Sequence, residues 1–562
     1  MVGHKVVIFS RGAGNQQYGL GLDARLLEKT LSDLDVVVKH QDPYMYVGTE
    51  SADIHIYLEV PCKAAFPWAR INVIIPNAEW WLTDAWSWAL TEPSAFFLFK
   101  SRHSKKLFGS VRGAYIGWRG PDLDVTVPSV PQVLYIIGGS VNKLAASRVI
   151  IDAWKPSYPP LVVVGSGAGP KKENVRWISK YISQVERRTL QKESMYHCVA
   201  SVAEGFGYTC AEAMLCGAQP LWTDIPVYSE NWGEELGSVG LIKTKAGREG
   251  KMLDTARTFT REDVWAAMDS LLAHERIPAR LGVVARGMNK AFRASFAQAW
   301  TRIEGLLQTS SAAIGPPKVL QELPALGVIT LVHNRPEWFF HSLRNIEISS
   351  YPADKLHWVI VDDSEPVKRV DTMVARVRAK MPHLKIYYVS LAQKTSIGEK
   401  RNKGCTAALA VWPHITTLAF MDDDDHYPPD SLPLRASWLA SSGMGAVACA
   451  TLPMYDLTRY ISAMNVPPLD LKPAQRVSEA TLCFNREFWL DRRFSHVSVA
   501  EGEEFLEGRN WLEIPPTNVI VSFLHGKNST SRRIPETREP NGCHYGFSDD
   551  YFTLIHGIAS RV

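Results

Sequence analysis

The run Thr417-Leu-Ala-Phe-Met-Asp-Asp-Asp-Asp-His-Tyr-Pro-Pro429 decides the reading of the C-terminal half. An apolar strand ends abruptly in four carboxylates and a turn. In open α/β sheets ligands bind beyond the carboxyl ends of the strands, where this run sets its aspartates. Four adjacent like charges are costly without a counter-ion. A hard divalent cation, Mn2+ or Mg2+, supplies one by taking one or two carboxylates, while phosphate oxygens and water fill its other positions.

The flanking segments repeat the pattern. Gly327-Val-Ile-Thr-Leu-Val-His-Asn334, Leu356-His-Trp-Val-Ile-Val-Asp-Asp-Ser364 and Lys385-Ile-Tyr-Tyr-Val-Ser390 read as strands of a parallel sheet. Asp362 and Asp363 close one of them, where a carboxylate accepts hydrogen bonds from a uracil or ribose. Ser396-Ile-Gly-Glu-Lys-Arg-Asn-Lys-Gly404 opens a helix, where free backbone N–H groups with Lys400 and Arg401 suit a diphosphate.

Together these motifs resemble the family 2 glycosyltransferases of GT-A fold over roughly residues 325–535. Thr330-Leu-Val-His-Asn-Arg335, with Asn334, looks like the family's first strand and turn, and Asp362-Asp363 like its nucleoside-binding acid. The resemblance implies Asp422 and Asp423 on the donor and a metal held by Asp424, with Asp422 and His525. Two alignments of the family pattern differ on the first ligand position and agree on Asp424. Glu501-Gly-Glu-Glu-Phe-Leu-Glu-Gly-Arg509 resembles the segment carrying the general base, which implies Glu504 first and Glu503 second, glutamate standing where the family usually has aspartate. Leu524-His-Gly-Lys-Asn-Ser-Thr530 resembles the late histidine segment, with Asn528 near phosphate oxygens. Such an enzyme is metal-dependent and inverting.

The N-terminal half alternates short β-rich runs, such as Ile54-His-Ile-Tyr-Leu-Glu-Val60 and Val133-Leu-Tyr-Ile-Ile137, with helical stretches. Its clearest motif is Ser201-Val-Ala-Glu-Gly-Phe-Gly-Tyr-Thr-Cys-Ala-Glu-Ala-Met-Leu-Cys-Gly217, a Gly-rich turn entering a helix. It resembles the donor signature of family 4 glycosyltransferases of GT-B fold. That likeness implies Glu204 and Glu212 on sugar and ribose, the Gly205-Phe206-Gly207 turn on phosphate, Lys143 on diphosphate and His103 in the active site. A module of this kind is metal-independent and retaining.

The expected fold is therefore α/β, a GT-B pair of Rossmann-like domains (1–125 on the acceptor side, 126–307 binding donor), a linker at 308–325 and a GT-A domain at 326–562. The linker expectation rests on the small, polar and Pro-rich stretch from Gln308 to Ala325. The expected function is a bifunctional transferase moving sugars from nucleotide-diphosphate sugar donors to a glycan or glycoconjugate acceptor. Three alternatives stand beside it: one active GT-A module on an acceptor-binding platform, a non-catalytic sugar-nucleotide scaffold, and transfer to modified nucleic acid.

Composition bounds these readings. At 562 residues, 46% hydrophobic and 21% charged, the chain is globular and long enough for several domains. A net charge of +4, without basic runs, makes nucleic acid a poor default partner. The eight cysteines form no C-x-x-C pair, so free thiols are expected. No run approaches the roughly 20 apolar residues that span a bilayer. A soluble, cytoplasmic protein is the expectation.

Overall fold

The computed structural model describes residues 3–13, 19–34, 36–45, 51–123, 126–137, 141–165, 172–179, 182–247, 250–276, 278–311, 313, 317, 320–525, 534 and 545–561. At 19, 141–143, 145 and 278–280 the description is of backbone alone. The protein is mixed α/β, built on parallel sheets. Two compact units divide it. Unit 1 comprises Met1–Pro43, Ala52–Pro61 and Ala69–Ala312, and unit 2 comprises Tyr44–Ser51, Cys62–Trp68 and Ala313–Val562.

Unit 1 holds two parallel sheets. Strands β1 (His4–Phe9), β2 (Val36–Gln41), β3 (Ala52–Leu58), β4 (Ala69–Ile75), β5 (Ala95–Phe99) and β6 (Gly113–Tyr115) lie in the order β2-β1-β3-β4-β5-β6. Strands β7 (Val130–Ile136), β8 (Leu161–Val164), β9 (Val175–Ile178), β10 (Ser194–Cys198), β11 (Gln219–Thr223) and β12 (Leu241–Ile242) lie in the order β12-β11-β10-β7-β8-β9. This second order reverses between β7 and β10, the position where doubly wound sheets open a ligand crevice. Runs such as Leu161-Val-Val-Val164 are buried throughout, as strands covered on both faces must be. A short ribbon pairs β13 (Lys245–Ala246) with β14 (Arg257–Thr258). The last helix of the unit, Pro278–Thr309, runs into the stretch expected as linker.

The helix Tyr208–Leu215 starts from Gly207, whose φ is 89°. A Cβ there would sit 2.1 Å from Cε1 of Tyr228, so glycine is required for both backbone and space.

Unit 2 restarts the rhythm with β15 (Leu326–Val332), β16 (Leu356–Asp362), β17 (Lys385–Ser390), β18 (Thr417–Phe420), β19 (Ala446–Ala448), β20 (Leu452–Asp456), β21 (Ile461–Asn465), β22 (Cys483–Asn485), β23 (Trp511–Glu513) and β24 (Ser522–Leu524). The main sheet runs β17-β16-β15-β18-β22-β19-β23, and β21-β20-β24 form a second sheet. The first four strands are parallel, β22 is antiparallel to β18, and the order reverses between β15 and β18. All seven residues of β16 are buried. The helix Ile397–Val411 is capped by Ser396, whose side chain accepts from Glu399 N, and it packs on β15 and β16.

Among the described residues no helix is long and apolar enough to cross a membrane. The seven described cysteines are free and buried, and Cys543 lies outside the described residues.

Candidate active site

The reversal between β15 and β18 in unit 2 gathers the charged residues. Strand β15 ends before Asn334, which takes a left-handed turn at φ 54°. Its backbone N–H donates to Ser364 Oγ at 2.7 Å, and its Oδ1 accepts from Glu365 N at 2.9 Å, tying the ends of β15 and β16 together. Asp362 is fully buried and serves this junction: its oxygens accept from Ser364 N at 2.8 Å, Val370 N at 3.0 Å and Tyr388 Oη at 2.8 Å. Asp363 binds Lys400 Nζ at 2.7 Å and lies 2.9 Å from His333 Nδ1. Burial works against both charges, yet Lys400 also donates to Val332 O at 2.8 Å, and its contact with Asp363 holds that carboxyl below the usual range. The pair is ionic.

The four aspartates leave β18 in different directions. Arg335, invisible as a site residue in the sequence, reaches over two of them: Nη2 is 2.5 Å from Asp423 Oδ1, and Nη1 donates to Asp424 Oδ2. Asp424 Oδ2 also lies 2.9 Å from His525 Nε2. Burial opposes ionisation of Asp424, but Arg335 and His525 override it and hold the carboxyl well below its ordinary value. Asp423 moves the other way, because burial, with Asp424 and Asp422 adding negative charge, outweighs Arg335. Asp425 turns inward, accepting from Phe523 N at 3.0 Å, and burial raises it well above the usual range. Asp422 keeps the most exposed side chain of the three that face cations, 3.7 Å from Arg401 Nη1.

Arg401 is 3% exposed, stacks 4.3 Å over the Phe420 ring and donates from Nε to Glu501 at 2.9 Å. Its Nη1 is buried without a hydrogen-bond partner. Glu501 is the glutamate of the helix Glu501–Leu506 that meets the arginine of the site. Glu503 instead accepts from Gln475 at 2.9 Å, and the exposed Glu504 accepts from the Ser495 hydroxyl. Asn528 lies outside the described residues.

Could a cation be held here? Among the described residues no three His, Cys, Asp or Glu side chains stand as a ready cage. Asp424 and His525, 2.9 Å apart, supply two donors of the kinds Mn2+ accepts, and Mg2+ and Mn2+ take their other positions from phosphate and water. The donor set fits.

In unit 1, Gly205, Phe206 and Gly207 form the turn after β10. A Cβ on Gly205 would lie 2.2 Å from Asn77 Oδ1, so this turn is pressed against the loop after β4. Phe206 is buried against Tyr208 and Trp232. His103 Nε2 is 3.0 Å from Asp254 Oδ2. Glu204 acts on the buried Glu79, whose carboxyl burial pushes up to about 8, with Glu59 adding to the effect. Glu212 is 1% exposed and bound by Arg187 at 2.8 Å, Arg188 at 3.2 Å and Gln191 at 2.7 Å, so both its oxygens are engaged. The sequence signal for this was Arg187-Arg188, one helix upstream. The Lys143 side chain lies outside the described residues.

A raised carboxylate stabilises the fold below its unfolded pKa, near 4.5, and that contribution is lost as pH rises through about 8. Glu79→Gln should therefore gain stability relative to the parent between pH 5 and pH 8.5, on the order of a few kcal/mol. Urea unfolding of both proteins at the two pH values measures it.

No family model matches the chain. No curated protein matches it either. Among solved structures it is similar to the mannosyltransferase PcManGT from Pyrobaculum calidifontis, determined with GDP-Man and Mn2+, at 20% identity and a TM-score of 0.28, over 37% of this chain and 60% of that one. It is also similar to S. aureus TarS 1-349 with UDP-GlcNAc, at 15% identity and a TM-score of 0.30, over 36% of this chain and 59% of that one. The chain thus spans less than two thirds of each.

Proposed function

We propose that unit 2 is a glycosyltransferase that takes its sugar from a nucleoside-diphosphate donor. The observation that carries this reading is the meeting, where the strand order reverses, of a buried acidic turn with the buried Arg401, which lies 3.7 Å from Asp422 and retains an unfilled hydrogen-bond donor. Asn334 and Asp363 shape the nucleoside end of the crevice. Lys400 positions Asp363, and Arg401 offers Nη1 to a diphosphate oxygen. Asp424 and His525, with Asp422 beside them, would hold Mn2+ or Mg2+. When bound, the ion neutralises the departing nucleoside diphosphate. Asp362 acts as scaffold, because its hydrogen bonds are spent on the strand ends.

For unit 1 the sequence likeness favours a second, metal-independent transferase. One observation favours the alternative, a single active centre with unit 1 binding acceptor: Glu212 is engaged by Arg187, Arg188 and Gln191. A nucleotide-sugar panel in thermal shift tests the reading on the full chain. A cognate donor at about 100 times its Kd should stabilise the protein by about 2.7 kcal/mol, and more strongly with Mn2+ than without. If no donor shifts the transition under either condition, the reading is lost. A donor acting equally well after Asp424→Ala, and lost after Glu212→Ala, would return the activity to unit 1.

A further inference from the structure

We propose that Glu479 is the carboxylate that takes the acceptor proton in unit 2, the role that the family resemblance implies for Glu504 or Glu503. The inference rests on the transferase reading of the site.

Backbone pairing sets Glu479 beside the acidic turn. Strand β18 runs antiparallel to β22, with Ala419 opposite Cys483, and Phe420 N donates to Leu482 O at 3.0 Å. The short 3-10 turn Glu479–Thr481 immediately precedes this paired segment. One phenol fixes the two segments to each other: Tyr427 Oη accepts from Asp422 N at 2.8 Å and donates to Ala480 O at 3.1 Å.

The side chain is held from the other side by the helix Glu501–Leu506. Glu479 Oε1 accepts from Gly502 N at 3.2 Å. A Cβ on Gly502 would lie 2.8 Å from Glu479 Cγ and 2.9 Å from its Oε1. The Glu479 carboxylate therefore fills the space that a side chain in the first turn of that helix would take. It is only half-buried, so it keeps access to an incoming hydroxyl. The unfilled Nη1 of Arg401, 3.7 Å from Asp422, marks where an anionic ligand would be drawn in, and Glu479 lies within electrostatic reach of the same guanidinium.

The other glutamates are less suited. Glu501 receives Arg401 Nε at 2.9 Å and is buried, so it is engaged by the arginine of the site. Glu503 and Glu504 hold Gln475 and Ser495. In the step itself, the acceptor oxygen attacks the anomeric carbon as its proton passes to Glu479. The bond from that carbon to the diphosphate oxygen breaks, its electron pair leaves with the nucleoside diphosphate, and the proton on Glu479 then returns to solvent. No further reactant is needed.

The test uses the full chain with water as acceptor and UDP-GlcNAc and GDP-mannose as donors, in Mn2+. Glu479→Gln should lower kcat at least 100-fold at unchanged KM and remove the acid limb of the kcat–pH profile, and Glu479→Asp should restore part of the rate. Calorimetric binding of UDP or GDP should stay within twofold of the parent, which separates this loss from misfolding. Retention of a third or more of kcat in Glu479→Gln overturns the assignment, as does a 100-fold loss confined to Glu503→Gln or Glu504→Gln. In either case the transferase reading stands. A parent chain that neither binds nor hydrolyses either donor removes that reading and this assignment with it.

Discussion

Asp424→Asn is expected to lower donor turnover in unit 2 by at least 100-fold and to abolish its response to Mn2+. The substitution keeps the shape and removes the charge. Asp424 is the one aspartate of the four held strongly ionised, and both Arg335 and His525 meet it. Under the proposed function a cation would lose a carboxylate donor, and the negative charge left near Arg335 comes from Asp423 and Asp422, whose ionisation burial opposes. Breaking one side of a buried charge pair typically costs about 3–5 kcal/mol, so the melting temperature should fall as well. Turnover with and without Mn2+, measured beside a thermal melt, separates the two effects. A variant with parental turnover and an intact metal response would remove the metal assignment at Asp424.

The second large effect is expected at Gly398, one residue inside the helix that carries Lys400 and Arg401. Its N–H donates to Val497 O at 2.9 Å, and a Cβ would stand 1.8 Å from Ser495 O. That obstacle is backbone, which cannot rotate away. Gly398→Ala must move either the first turn of the helix or the 495–498 segment, and overpacking of this kind costs about 1–3 kcal/mol or more. Both Arg401 contacts, to Asp422 and Glu501, depend on that turn. The expected outcome is a lower urea midpoint together with weaker nucleoside-diphosphate binding. An unchanged midpoint with unchanged binding would show that the loop yields freely.

The α/β architecture was legible because its strands are short, apolar and punctuated by charged ends, as in Val359-Ile-Val-Asp362 and Thr417-Leu-Ala-Phe420. What the linear pattern does not encode is which way a side chain leaves its strand end. Asp362 and Asp363 are neighbours, yet one is spent on the strand junction and the other on Lys400. Arg335 looked like part of a turn, since nothing local reveals that it spans to residues 423 and 424. The helix Glu501–Leu506 is too short for a hydrophobic period to fix its phase, so the sequence does not tell which of its glutamates meets Arg401. Glu212 matched a spacing, but its partners come from a separate helix, Gln184–Glu193.

Arg335 also bears on how the site responds to its surroundings. The guanidinium of Arg335 already sits on Asp423 and Asp424, so part of the charge of the acidic turn is offset without any ion from solution. Under the proposed function an incoming divalent cation competes with a tethered one and gains only the difference between them. Capture would then be weak for the bare ion and would strengthen when the donor's phosphates arrive to receive the displaced guanidinium. A site of this kind folds before it is loaded, releases its metal to a chelator without unravelling, and engages metal and donor as a pair.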